Sequence, residues 1–297
     1  MFVNYFLLFF NKYSADVKLT LMFLVFCGIL FGKKGNDRGI SLMRMRKKPN
    51  LLPRMERASA VLVRDPETLP GRWLDSFPGR RALHIELGCG KGRFTAGTAL
   101  ERPDVLLVAV ERVPDAMVVA MERCVEQGIG NVRFIDRDAG SLSAIFAPGE
   151  AERIYINFCD PWPKSRDAKH RLTAPNFLRM YATVLCPGGE IHFKTDNLPL
   201  FDWSREQFAA EGWALSEVTN DLHAGGAVGV MTDYEAKFHA RGIPINRLVA
   251  AKTEGTKTTA DGDAGRLRNA SLADAKGRAE SLAAHAARET ERDRVTL

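Results

Sequence analysis

Between residues 82 and 252, short apolar runs alternate with amphipathic stretches, the pattern of a mostly parallel sheet with helices on both faces. Apolar runs at 82–87, 105–110, 132–135, 153–158, 190–194, 214–218 and 247–251 predict seven strands. Helical periodicity fills gaps between the first five, as at 114–127 and 175–185, and is closed by Gly128 and by Pro187-Gly188-Gly189. A longer insertion separates the last two strands. The expected fold class is therefore α/β, a doubly wound, mostly parallel seven-stranded sheet.

The pattern changes at both ends. Residues 1–42 carry Phe-rich apolar runs at 2–10 and 19–32. The second run is shorter than the roughly 20 residues a membrane span needs, and no small-x-small cleavage site follows it. Met43-Arg44-Met45-Arg46-Lys47-Lys48 then reads as a fresh start, so translation is expected to begin at Met43 or Met45, with a membrane anchor as the competing reading. Residues 43–81 form a basic arm in which Pro49, Pro53, Pro66, Pro70 and Pro78 forbid one long helix. Residues 253–297 are rich in Ala, Arg, Glu, Asp and Gly and poor in aromatics, which predicts a mobile tail with a short polar helix available at 269–288. The expected organisation is an apolar extension at 1–42, the arm at 43–81, a catalytic domain at 82–252 and the tail.

Composition refines this picture in two places. The net charge of +6 is modest, but the basic residues bunch at 44–72 and 164–171, which favours a nucleic-acid partner. The cysteines at 27, 89, 124, 159 and 186 include no C-x-x-C pair and have no histidine at ligand spacing. Neither a metal site nor a disulfide framework is expected, and the scattered thiols fit a reducing cytoplasm.

The first candidate chemistry follows the first strand. Glu86-Leu87-Gly88-Cys89-Gly90-Lys91-Gly92 is a strand-to-helix turn whose glycines let backbone approach a ligand. A dinucleotide turn reads G-x-G-x-x-G, whereas Arg93 stands at the third glycine here and Gly92 makes G-x-G-x-G. Glu86 would repel a pyrophosphate, while S-adenosylmethionine offers an ammonium and a sulfonium instead. Glu111 ends the second strand where such folds place a carboxylate on the ribose hydroxyls, and Asp138 follows the third strand within reach of an adenine amine. Any one acid alone reads equally as a solvated loop charge; three at successive strand ends point to one crevice.

The fourth strand runs into Asn157-Phe158-Cys159-Asp160-Pro161-Trp162-Pro163-Lys164, where two prolines fix the exit of the chain. Methyltransferases acting on exocyclic amines carry a related corner at this place, which locates a methyl acceptor without naming it. Asp160 is the catalytic candidate, with a turn-capping aspartate as the plain alternative. The run Lys164-Ser165-Arg166-Asp167-Ala168-Lys169-His170-Arg171 beside it offers cations for phosphates, or a merely solvated face.

Taken in order, Asp160-Pro161-Trp162-Pro163-Lys164, the basic run, Phe193-Lys194-Thr195-Asp196-Asn197 and Met231-Thr232-Asp233-Tyr234-Glu235 resemble the bacterial tRNA (guanine-N7-)-methyltransferase family, over roughly residues 43–252. The resemblance implies a class I SAM-dependent methyltransferase fold of the Rossmann-like type. It implies cofactor contacts at Glu86, Glu111, Asp138 and Asp160 beside Gly88 and Gly90, with Asp160 as the active-site residue. It further implies substrate contacts at Lys164, Asp196, Thr232, Asp233, Tyr234 and Glu235, and tRNA on Arg166, Lys169, His170 and Arg171. Two departures stand out: Asp167 and His170 replace a histidine and an arginine of the family's basic run, and Asp233 stands where glutamate or lysine is expected.

Guanine N7 attacks through an in-plane lone pair, so no general base is required; alignment and stabilisation of charge developing on the purine are. Asp196 or Glu235 is suited to accept from guanine N1–H and the exocyclic amine together, a donor pair adenine lacks. The plainer roles are Asp196 capping the next helix and Glu235 pairing with Lys237. Trp162 and Tyr234 are candidates to stack on a flipped base, or to be core aromatics. The rival functions are a SAM enzyme with another acceptor, and a non-catalytic tRNA-binding protein. Monomer and homodimer stay open.

Overall fold

The computed structural model describes residues 48–259. The apolar extension, the expected start at Met43 or Met45 and the tail beyond residue 259 lie outside the described residues. Among the described residues, no helix is long and apolar enough to cross a membrane.

Seven strands, β1 (Ala82–Leu87), β2 (Val105–Val110), β3 (Val132–Ile135), β4 (Ala151–Asn157), β5 (Leu185–Thr195), β6 (Ala214–Thr219) and β7 (Asn246–Ala251), form one sheet. Their spatial order is β3-β2-β1-β4-β5-β7-β6, with β7 antiparallel to both neighbours and the rest parallel. This is the doubly wound, mostly parallel architecture the apolar runs predict. The helices in chain order are α1 (Leu51–Arg57), α2 (Trp73–Ser76), α3 (Arg93–Glu101), α4 (Pro114–Glu126), α5 (Leu142–Ile145), α6 (Pro175–Val184), α7 (Leu198–Ala210) and α8 (Asp233–His239).

Local chemistry accounts for the helix ends. α4 and α6 each start with proline at the first helical position, where the missing N–H costs nothing. In α4, Ala116, Met117, Ala120, Met121 and Cys124 recur at three- and four-residue spacing and are buried as one stripe. Gly128 follows in the left-handed conformation, with φ 65°.

Strand register sorts the sheet into two unlike faces. Ile85, Ile154 and Ile191 pair across β1, β4 and β5, as do Leu87, Ile156 and Phe193 one row on, and Leu248 of β7 completes that row. These side chains join Leu178, Tyr181, Phe201 and Phe208 from α6 and α7 in an apolar core. The intervening rows carry His84, Arg153 and Glu190; Glu86, Tyr155 and His192; and Asn157, Lys194 and Arg247. Under α1, α3 and α4, on β2 and β3, this second face is apolar, through Leu107, Ala109, Val132 and Phe134.

Three boundaries differ from expectation. β5 begins at Leu185 rather than residue 190, because Pro187-Gly188-Gly189 sits in a bulge where the pairing with β4 jumps from Ala151–Leu185 to Arg153–Glu190. The insertion before β7 is not plain loop but contains α8. Residues 253–257 are fastened down: the hydroxyls of Thr253 and Thr256 each donate to the Gly212 carbonyl at 2.9 Å, and Lys257 N donates to the Glu211 carbonyl at 3.0 Å. The arm lies along the sheet margin, where Leu62 bridges Phe134 of β3 and Val63 N donates to the Phe134 carbonyl at 2.9 Å.

Candidate active site

The glycine-rich turn joins β1 to α3 with Gly88, Gly90 and Gly92 at φ 76°, 56° and 75°, a region that side chains rarely adopt. Gly92 has a second reason to lack a side chain. A Cβ there would stand 2.5 Å from the Ala120 Cβ, so α3 and α4 approach each other through this glycine.

The acids stand at the C-terminal ends of successive parallel strands, each with a distinct environment. Glu86 is fully buried, and its Oε2 accepts from the Thr95 hydroxyl at 2.6 Å. Burial pushes its carboxyl up to about 7, against the opposing pull of Thr95, the Lys194 ammonium and Asn157. Glu111 Oε2 accepts from Gly90 N and Oε1 from Val113 N, both at 2.9 Å, so the acid at the end of β2 ties down the turn after β1. With the Arg112 N–H also engaged, the carboxylate retains acceptor capacity for a ligand hydroxyl. Burial raises its carboxyl, opposed by those backbone N–H groups. Asp138 accepts from Gly140 N at 2.9 Å, capping a turn of 3-10 helix, and faces Arg112. Arg112 lies 3.9 Å from Asp138 on one side and 3.9 Å from Asp160 on the other. The cation therefore joins the acid after β3 to the acid after β4 across one cleft, at the C-terminal ends of the strands.

The corner after β4 holds Asp160 half exposed between two residues in the left-handed region, Phe158 at φ 54° and Trp162 at φ 42°. Non-glycine residues persist there only when the surroundings over-determine them. Phe158 N donates to the Lys194 carbonyl at 2.8 Å, and Trp162 is restrained by Arg171, whose guanidinium donates to the carbonyls of Pro161 and Trp162, each at 3.0 Å in its shorter contact, while lying 4.4 Å over the Trp203 ring. Arg171, expected on the RNA, is thus turned inward as a clamp on the corner. His170 packs its ring 5.1 Å from that of Trp162. Lys164, Arg166 and Lys169 are exposed, the last two on a 3-10 turn (Ser165–His170) that buries none of its side chains.

On the acceptor side, Asp196 is half-buried and its carboxyl is raised by that burial. It does not cap α7; Asn197 does, accepting from Leu200 N at 2.8 Å. Tyr234 is exposed, with its ring 5.4 Å from Phe158 and its phenol pushed up by burial and by the charge of Asp196. Thr232 caps α8, and Asp233 lies 3.6 Å from Arg123. Glu235 departs from its expected role as a guanine reader. Its side chain is 0% exposed, with Oε2 against Lys194 Nζ at 2.6 Å and Oε1 against His223 Nε2 at 3.1 Å. Its partner is not Lys237. Thr232-x-x-Glu235 is a capping box, a signature that also announces α8 and that motif reading passed over.

Comparison with known proteins agrees with this geometry. Residues 80–248 match a family described as "Putative methyltransferase". A tRNA (guanine-N(7)-)-methyltransferase of Listeria welshimeri is 42% identical over 209 residues, covering 70% of this chain and 98% of that protein. One from Geobacillus kaustophilus is 41% identical over 211 residues, covering 71% and 97%. The chain belongs to the tRNA (guanine-N7-)-methyltransferase family. Among solved structures, the 16S rRNA (adenine(1408)-N(1))-methyltransferase of Catenulisporales acidiphilia is 14% identical with a TM-score of 0.47, covering 62% of this chain and 94% of that one. In this methyltransferase, three residues of the site escaped sequence reading: Arg112, Lys194 and His223. Lys194 was legible as one of the polar residues at alternate positions of β4 and β5; Arg112 and His223 carry no periodic signal.

Proposed function

We propose that this protein transfers a methyl group from S-adenosylmethionine to N7 of a guanine in tRNA, and that the guanine lies in the variable loop. The observation that carries the reading is the placement of Glu86, Glu111, Asp138 and Asp160 around one cleft, with Arg112 between the last two. When bound, the cofactor supplies an electrophilic methyl group on a sulfonium. Glu86, buried and carrying part of a negative charge near neutrality, suits an ammonium; Glu111 suits a ribose diol and Asp138 an adenine amine.

The remaining work falls to the acceptor side. Asp160, held at the corner by the clamp on Pro161 and Trp162, faces the purine and stabilises positive charge as it develops there. Asp196 accepts from the guanine Watson–Crick edge, which turns N7 towards the methyl group, and Tyr234 stacks beside it. Lys164, Arg166 and Lys169 neutralise flanking phosphates. The enzyme acts in the cytoplasm, where its substrate is.

Incubation of the purified protein with S-adenosylmethionine and unmodified tRNA, followed by nucleoside mass spectrometry, is expected to yield N7-methylguanosine. Asp160→Ala is expected to lose turnover by about 100-fold or more with its melting temperature kept, since a half-exposed corner side chain supports little core. Unchanged N7-methylguanosine formation in that variant retires the assignment. Lys169→Glu should weaken tRNA binding and flatten its salt dependence.

A further inference from the structure

Segment 223–235, which carries Tyr234 to the acceptor side, stands partly clear of the sheet beneath it. Between them lies a cavity of about 210 Å³ lined by Phe94, Tyr155, Asn157, Lys194, Val230 and Arg247 among others. Its apolar seating against the core is made at Val230, so over β4 and β5 its height is set largely by polar ties. Its polar ties converge on one buried carboxylate. Glu235 Oε2 accepts from Lys194 Nζ at 2.6 Å and from Thr232 N at 3.2 Å, and Oε1 takes His223 Nε2 at 3.1 Å. His223 Nδ1 accepts from Val228 N at 3.2 Å, so the proton sits on Nε2 and is donated to Glu235. Lys194 also donates to the Val230 carbonyl at 3.2 Å and lies 5.0 Å over the Phe94 ring in the first turn of α3. The Val230 side chain meets α3 at Gly97, where a Cβ would stand 2.6 Å from it.

We propose that Lys194 is a positioning residue: through Glu235 and Val230 it fixes the acceptor-side segment against α3, the helix that begins at the cofactor turn. The ammonium is buried, between Glu235 and the charge of Glu86. A buried ion pair adds little net stability over an apolar pair of the same shape, so its use here is geometric. Met cannot replace it alone, because the Glu235 carboxylate would be left buried without a cation. The inference rests on the methyltransferase reading for its catalytic consequence, but the anchoring itself is independent of that reading.

The test uses Lys194→Met/Glu235→Gln, which removes both members of the ion pair together, and separately His223→Phe, which removes the ties to Glu235 and Val228 without touching the ion pair. Melting temperature, S-adenosylmethionine affinity by calorimetry, kcat and KM on tRNA, and amide hydrogen exchange over 223–235 are measured on the full chain. The double variant is expected to melt within a few degrees of wild type, and any loss of cofactor affinity at neutral pH is expected to be recovered at higher pH as Glu86 ionises. Its kcat/KM should fall at least tenfold, and amide protection over 223–235 should fall at least tenfold, with smaller changes in the same direction for His223→Phe. Unchanged protection, or a turnover loss that follows melting temperature and is restored by cooling, overturns the proposal. Absence of N7-methylguanosine from the wild-type enzyme overturns the functional reading instead, and hydrogen exchange still decides the anchoring.

Discussion

The two faces of the central sheet are built on opposite principles although the same strands supply both. One presents Ile85, Ile154, Ile191, Leu87, Ile156, Phe193 and Leu248 to α6 and α7 and is closed by packing. The other, on β1, β4, β5 and β7, presents His84, Glu86, Arg153, Tyr155, Asn157, Glu190, His192, Lys194 and Arg247. These are held by specific pairs: Arg153 with Glu190 at 2.7 Å, His192 with Glu190 at 2.9 Å, the Tyr155 hydroxyl with His84 Nδ1 at 3.2 Å, and Arg247 with Glu217. The first face keeps the sheet folded; the second leaves a cavity and a buried acid beside the cofactor turn. Stability and chemistry are thereby separated by the two-residue period of a strand.

Substitutions on each face put numbers on this division. Phe193→Ala empties the packed side and is expected to cost about 3–5 kcal/mol in urea unfolding, with N7-methylguanosine formation kept at temperatures where the variant stays folded. The second largest effect is a pH dependence on the polar side. The Glu86 carboxyl titrates at about 7 when folded, against an ordinary value of 4.5 in the unfolded chain. Its contribution is therefore fully present below about pH 4.5 and lost as pH rises through 7, worth about 3 kcal/mol across that window. Comparing wild type with Glu86→Gln by unfolding at pH 5 and pH 8 isolates it: the variant should gain on wild type as pH rises, and a constant difference would contradict the buried-acid account. Cofactor affinity should show the reverse, falling up to tenfold per unit below pH 7 because the ammonium needs the carboxylate.

Tyr155→Phe removes one hydroxyl from a neutral pair with His84, whose imidazole is held uncharged by burial down to about 3. About 1 kcal/mol is expected. Smallest of all is Arg64→Ala, which breaks the exposed pair with Glu56 and should cost under about 0.5 kcal/mol, a control lying off both faces.

The contrast between faces also explains how much the sequence disclosed. Alternating apolar runs place all seven strands, and the acids at their ends are legible because a strand end followed by glycine or proline is a local pattern. Asp138 and Asp160 meet Arg112 from either side, and Glu111 reaches the turn after Glu86, for that reason. The fates of Glu235 and Arg171 are not local. Whether a carboxylate reads a base or meets Lys194 depends on β5, distant in the chain, and whether a guanidinium in a basic run faces solvent depends on the carbonyls left by a proline corner. His223 belongs to the same class: its role exists only once α8 is capped and folded back.

The margins of the sheet carry a last consequence. At one side the β3 ladder is already taken up by Leu62 and Val63; at the other, β6 is bent at Glu217, with φ 49° and a break in register between Ser216 and Thr219. Neither rim offers a straight run of backbone to a neighbouring molecule. Within the described residues, copies crowded together at high concentration therefore meet rims ill suited to edge-to-edge pairing.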